Sequence, residues 1–113
     1  MISFNIRALD SFTKQAKRLA KKYKRISEDL TDLQAILTDD PKAGTALSHN
    51  CFKIRLQNSS TKTGKSGGFR IIYYYLSPKT DIYLVSIYSK TEQSNIDEAK
   101  IIDLLMEAGL AEF

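Results

Sequence analysis

Hydrophobic residues along this chain change their spacing several times, and each change marks an element. Ile2, Phe4 and Ile6 alternate with polar neighbours, which predicts a short strand over Ile2–Ile6. From Asp10 the period lengthens. Phe12, Ala16, Leu19, Ala20 and Tyr23 fall on one helical stripe, while Lys14, Lys17, Arg18, Lys21 and Lys22 fill the remainder. Ser27 followed by Glu28 and Asp29 has the capping side chain and first-turn acids of a helix start. Ile26, Leu30, Leu33 and Leu37 then form a second stripe, which Asp39-Asp40-Pro41 ends because the residue before proline is driven out of helical geometry. Two helices joined by so short a link predict a hairpin that lays its apolar face on something flat.

The flat partner follows. Over Cys51–Gln57, Phe52, Ile54 and Leu56 alternate with Lys53, Arg55 and Gln57. Phe69–Leu76 and Ile82–Tyr88 are richer in β-branched and aromatic residues, as central strands buried on both sides should be. Ser77–Thr80 is a tight connection between them, whereas the link over Asn58–Gly68 is long, polar and glycine-rich. Asn95 with Glu98 three residues on has the pattern of a capping box. A third helix would then carry Ala99, Ile102, Leu105 and Met106 on one side and stop at Gly109. The order β-α-α-β-β-β-α predicts one α+β domain over residues 1–113, a mostly antiparallel sheet with helices on one face.

Charge sharpens this picture. The net of +4 is the sum of four segregated blocks: +7 over residues 1–25, −5 over 26–41, +7 over 42–90 and −5 over 91–113. Basic blocks interrupted by acidic helices imply a basic face, for which a polyanion is the natural partner. Other classes fall away. No apolar run approaches the ~18 residues of a membrane span. The start, Met1–Phe12, is charged and polar where a secretory signal needs an apolar core, so a cytoplasmic location is expected. One cysteine, Cys51, and one histidine, His49, leave no zinc-ligand set, and no metal or other cofactor is expected.

The sheet carries cations that a purely structural element has no use for. Lys53 and Arg55 share one face, about 6–7 Å apart along the strand. Arg70 starts the strand expected beside them, and Lys90 follows the last strand. Cations converging in this way repel one another unless an anion sits among them, and a phosphodiester fits. Such a cluster cleaves RNA without a metal when a base takes the proton of the ribose 2′-hydroxyl and cations stabilise the phosphorane-like transition state. Lys53, its pKa depressed by neighbouring charge, is the candidate base; Arg55 and Arg70 are the candidate phosphate forks. Asp81 is the sole acid between Lys42 and Lys90, so a carboxylate pair of the glycosidase type has no support. Lys62-Thr63-Gly64-Lys65-Ser66 superficially resembles a nucleotide-binding loop. It lacks the first glycine and leads into a strand, so Lys62 and Lys65 are read as RNA contacts instead. Lys17 and Lys21 on the first helix join them as expected RNA or ribosome contacts. Tyr73 and Tyr75 are expected in the core, and Tyr74, on the face of Arg70, is a candidate to stack on a base.

In order and spacing, DDPKAG, FKIRL, GKSGGFRIIYYY and DIYLVSIYSKTEQSNI resemble the RelE/HigB branch of the RelE/ParE toxin superfamily, over roughly residues 39–96. The resemblance implies a RelE-like fold, a small twisted antiparallel sheet with an N-terminal helical hairpin. It also implies a ribosome-dependent endoribonuclease that enters the ribosomal A site, cuts mRNA and is neutralised by a cognate antitoxin, commonly a helix-turn-helix protein of the HigA type. Lys53 and Arg55 match the family's paired basic residues, Arg70 its phosphate-binding arginine, and Lys90 a basic residue after the last strand. The tyrosine or histidine that some relatives carry next has no counterpart within Thr91–Asp97, and His49-Asn50 replaces glycines common in relatives. A second class stays open: a ParE-like, non-enzymatic toxin that inhibits gyrase by protein contact, which would have no need of the four cations together.

Overall fold

Three strands rich in branched and aromatic side chains form the centre of a five-stranded sheet in the computed structural model, which describes residues 5–61, 67–76 and 81–110. The elements in order are β1 (Ile6–Ala8), α1 (Asp10–Ala20), α2 (Ile26–Asp39), β2 (Thr45–Ala46), β3 (Cys51–Leu56), β4 (Phe69–Tyr74), β5 (Ile82–Ser89) and α3 (Glu98–Glu107). The sheet runs β1-β5-β4-β3-β2, antiparallel except for the parallel β1–β5 pair. It is the expected α+β architecture with one short strand more, β2. No helix among the described residues is long and apolar enough to cross a membrane.

The hairpin of α1 and α2 covers one face. Phe12, Leu19, Tyr23, Ile26, Leu33 and Leu37 pack with Ile54, Leu56, Phe69, Ile71, Tyr73, Tyr75, Leu84 and Ile87 in one buried cluster. The two predicted helical stripes therefore meet the predicted inward residues of the strands. α1 also closes the edge that β5 exposes once β1 ends. Ser11 Oγ donates to the Val85 carbonyl at 2.6 Å, and Gln15 Oε1 accepts from Ile87 N–H at 2.8 Å. Backbone groups on an open strand edge need such partners.

α3 lies on the opposite face, so the helices are shared between both faces. Ile101, Leu104 and Leu105 pack there on Cys51, Ile72, Tyr74 and Val85. This corrects the predicted stripe: of Ala99, Ile102, Leu105 and Met106, only Leu105 is buried, and Met106 is 47% exposed. α3 has enough apolar residues for two overlapping stripes at i, i+3, i+4 spacing, and contact with the sheet selects one of them. The expected capping box is not formed either. Asp97 precedes the first turn without a side-chain cap, and Asn95 is engaged elsewhere. The stop at Gly109 is as predicted. Its φ of 74° lets Leu110 N–H reach the Leu105 carbonyl at 2.9 Å and Gly109 N–H the Met106 carbonyl at 3.1 Å, a Schellman ending.

Other boundaries moved for local reasons. β1 covers Ile6–Ala8 among the described residues, and residues 1–4 of the predicted strand lie outside the described part. The strand continues through Arg7, whose Nε donates to Asp81 Oδ2 at 2.5 Å. α2 starts at Ile26, so Ser27 is not its cap; Asp29 is buried and accepts Ser59 N–H at 3.0 Å, tying down the loop after β3. His49 and Asn50, at φ 63° and 61°, make the two-residue left-handed turn joining β2 to β3. The predicted Ser77–Thr80 turn lies outside the described residues.

Candidate functional site

α3 covers only part of its face, and the remainder is where the cations gather. β3 alternation sends Ile54 and Leu56 toward the hairpin and Lys53 and Arg55 away from it. Phe69 and Ile71 belong to the hairpin core, so Arg70 between them points the other way. The register sets Arg55 directly opposite Arg70, and Arg70 opposite Tyr88. Like charges on paired positions cost stability, which marks the row Arg55–Arg70–Tyr88 as shaped by something other than packing. Lys53, Arg55, Arg70 and Lys90 line one open cleft of about 810 Å³, bordered by Ile36 and Leu47. All four predicted site cations are thus brought together.

Backbone contacts hold this arrangement. Lys90 N–H donates to the Gly68 carbonyl at 2.9 Å, fixing the end of β5 beside the start of β4. A Cβ on Gly68 would come within 2.3 Å of the Leu56 carbonyl oxygen, so glycine there is a requirement of close approach. Lys53 Nζ donates to Asn95 Oδ1 at 3.0 Å, and Lys90 Nζ to the Ser94 carbonyl at 2.6 Å. The segment after β5 is itself tied to α1, with Glu92 within 3.5 Å of Lys22 Nζ. Tyr23 Oη lies 3.3 Å from Ser89 Oγ. Among the described residues, no carboxylate pairs with Lys53, Arg55 or Lys90.

The electrostatic consequences follow. Burial, and then the charges of Lys90, Arg70 and Arg55, hold the Lys53 amine below its ordinary pKa. Arg70, 5% exposed, is lowered by burial and by Arg55. Tyr88 is 3% exposed; burial pushes its phenol up, with Arg70 partly opposing, and its hydroxyl has no hydrogen-bond partner among the described residues. Among the described residues this phenol, opposite Arg70 in the register, has an unused donor. Sequence reasoning missed both Tyr88 and Asn95.

Other candidates fare differently. Tyr74 does lie on the face of Arg70, but it is buried in the α3 cluster and meets Tyr83 edge-on at 6.2 Å, so no base can stack on it here. Lys17 and Lys21 are exposed on α1, away from the cleft. Lys62 and Lys65 lie outside the described residues. Burial pushes the Cys51 thiol up to about 11, leaving it inert. Among the described residues, no three His, Cys, Asp or Glu side chains group as a metal would require.

A five-stranded sheet with a helical hairpin on one face and a further helix on the other is a fold this chain shares with solved structures of RelE toxins. One structure like it is the E. coli toxin RelE, a mutant in the free state, with a TM-score of 0.58 over 94% of this chain and 97% of that one. Another is an E. coli RelE mutant in complex with an antitoxin RelBc peptide, with a TM-score of 0.57 over 98% of both chains. Sequence identity is 14% in each case, so the likeness is one of fold. No protein-family model matches the sequence.

Proposed function

We propose that this protein is a toxin that cleaves mRNA on the ribosome, a metal-independent endoribonuclease acting in the cytoplasm. The observation carrying this reading is the convergence of Lys53, Arg55, Arg70 and Lys90 on one cleft, with no carboxylate among the described residues paired to Lys53, Arg55 or Lys90. A phosphodiester is the anion such a cleft suits. Arg55 and Arg70 hold the non-bridging oxygens, and their charge stabilises the transition state more than the ground state. Lys53, its amine made less basic by its neighbours, takes the proton from the ribose 2′-hydroxyl. The 2′-oxygen then bonds to phosphorus, and the 5′-oxygen leaves with a proton drawn from the cluster. The products are a 2′,3′-cyclic phosphate and a 5′-hydroxyl.

The fold neighbours are toxins, one of them bound to an antitoxin peptide, which supports an antitoxin partner here too. We take that partner to be of the helix-turn-helix, HigA type, and the exposed lysines of α1 to face the ribosome. The test is to incubate the protein with programmed ribosomes and map mRNA ends, with a gyrase supercoiling assay alongside. New ends within the A-site codon are expected. Intact mRNA together with inhibited gyrase would transfer the chain to the ParE-like alternative.

A further inference from the structure

A second cavity, of about 400 Å³, adjoins the cationic cleft. It opens between the β2–β3 turn, the middle of the sheet, the segment before α3 and the first turns of α3. We propose that it seats one nucleobase of the RNA, the base adjoining the phosphate held in the cleft; this rests on the ribonuclease reading above. Three observations lead there.

First, the cavity and the cleft share the side chain of Lys53. A phosphate held by Arg55 and Arg70, with Lys53 beside its ribose, therefore has its own nucleoside at the mouth of the cavity. Second, the walls suit a flat ring. Ile72 and Ile101, both buried, supply apolar surface inside, and Leu47, 38% exposed, supplies it at the rim. A hollow lined by isoleucines and leucine on one part and polar side chains on the rest, beside a charged cleft, suits a heterocycle with two apolar faces and a polar edge.

Third, the polar groups are already oriented. Lys53 Nζ donates to Asn95, which turns Oδ1 toward Lys53 and leaves the amide NH2 to donate. Glu98, an acceptor, is bonded by Ser48 Oγ and lies 3.7 Å from His49 Nδ1. The left-handed turn at His49 and Asn50 brings Ser48 and His49 to it. A donor and an acceptor in the lining of the cavity can read the edge of a base. Purines present the larger stacking face and are the preferred occupants.

Inorganic phosphate, each of the four nucleoside 3′-monophosphates and the matching nucleosides would be titrated into the full-length protein, followed by backbone and isoleucine-methyl NMR. Phosphate should move the signals of Arg55 and Arg70 alone. The purine nucleotides should in addition move the methyls of Ile72 and Ile101 and bind at least about tenfold tighter than phosphate, given what stacking contributes. Ile96→Trp, which fills the cavity, should return the purine nucleotides to the affinity of phosphate. Nucleotides that bind no tighter than phosphate and leave Ile72 and Ile101 unmoved would overturn the base site while leaving the ribonuclease reading intact. Failure of phosphate and nucleotides alike to move Arg55 and Arg70 would overturn both. A hydrophobic peptide that fills the cavity where no nucleotide does would assign it to a protein partner and also overturn the proposal.

Discussion

The two faces of the sheet follow opposite rules. On the hairpin side every large side chain meets an apolar partner, and Leu37, Phe69, Ile71, Tyr73 and Ile82 are fully buried. On the other side α3 seals a smaller cluster, and beyond it the same strands carry Arg55 opposite Arg70 and a tyrosine hydroxyl with no partner among the described residues. Strands cannot choose one face independently of the other, because alternate residues belong to each. The hairpin face therefore supplies the stability that lets the opposite face hold repelling charges close together. One face sustains the fold, and the other is free to be costly.

This contrast can be broken from either side. Leu37→Ala on the hairpin face should cost about 2–5 kcal/mol of stability in denaturant unfolding. The fraction that stays folded should cleave at the normal rate; a slower rate in that fraction would mean the two faces are not separable. Arg70→Ala should do the reverse. It should lose about 2–4 kcal/mol of transition-state stabilisation on programmed ribosomes. Its fold should persist, because the relief of repulsion from Arg55 offsets part of what the lost side chain contributed. A folded Arg70→Ala protein with unchanged cleavage would remove Arg70 from the mechanism.

Lys90→Ala sharpens the comparison through pH. Lys90 is one of the charges that lower the Lys53 pKa, so its removal should raise that pKa. Cleavage by a Lys53 base rises as pH passes through its pKa. The rising limb of the pH–rate profile should therefore move to higher pH in the variant; a limb that stays in place would exclude Lys53 as the base. The smallest effect is expected from Tyr88→Phe. Removing a buried hydroxyl without a partner should stabilise the fold by about 1 kcal/mol. Cleavage should slow by about tenfold if the phenol serves the phosphate site, since 1.36 kcal/mol corresponds to that factor. Gained stability with full activity would return Tyr88 to the core.

Much of this arrangement was legible in the residues. The stripe of Phe12, Leu19 and Tyr23, the alternation over Phe52–Gln57 and the cations Lys53, Arg55 and Arg70 each depend on one regular period, and the structure keeps those periods. What escaped depends on irregularity or on choice between equals. α3 offered two apolar stripes, and only the sheet beneath it decides for Ile101 and Leu104. Tyr88 was hidden by a bulge. Plain alternation through β5 groups it with Ile82 and Leu84, yet Leu84 and Ile87, three residues apart, both lie in the hairpin cluster. Val85 is the extra residue, and Tyr88 consequently falls opposite Arg70. Asn95 was read as a cap because its real partner, Lys53, is distant in sequence.

That extra residue has a consequence for how the chain can change in length. β5 holds one amino acid more than a regular ladder between Leu84 and Ile87, whereas β4 runs from Phe69 to Ile72 with none to spare. Losing Val85 would restore strict alternation with Tyr88 still opposite Arg70, at the expense of one side chain in the seat of α3. Losing Ile71 would instead carry Arg70 into the hairpin core and Phe69 out of it. A single-residue deletion scan should therefore find one tolerant position in the middle of β5 and none in β4. Over evolutionary time, a change of length is open to β5 at Val85 and closed to β4.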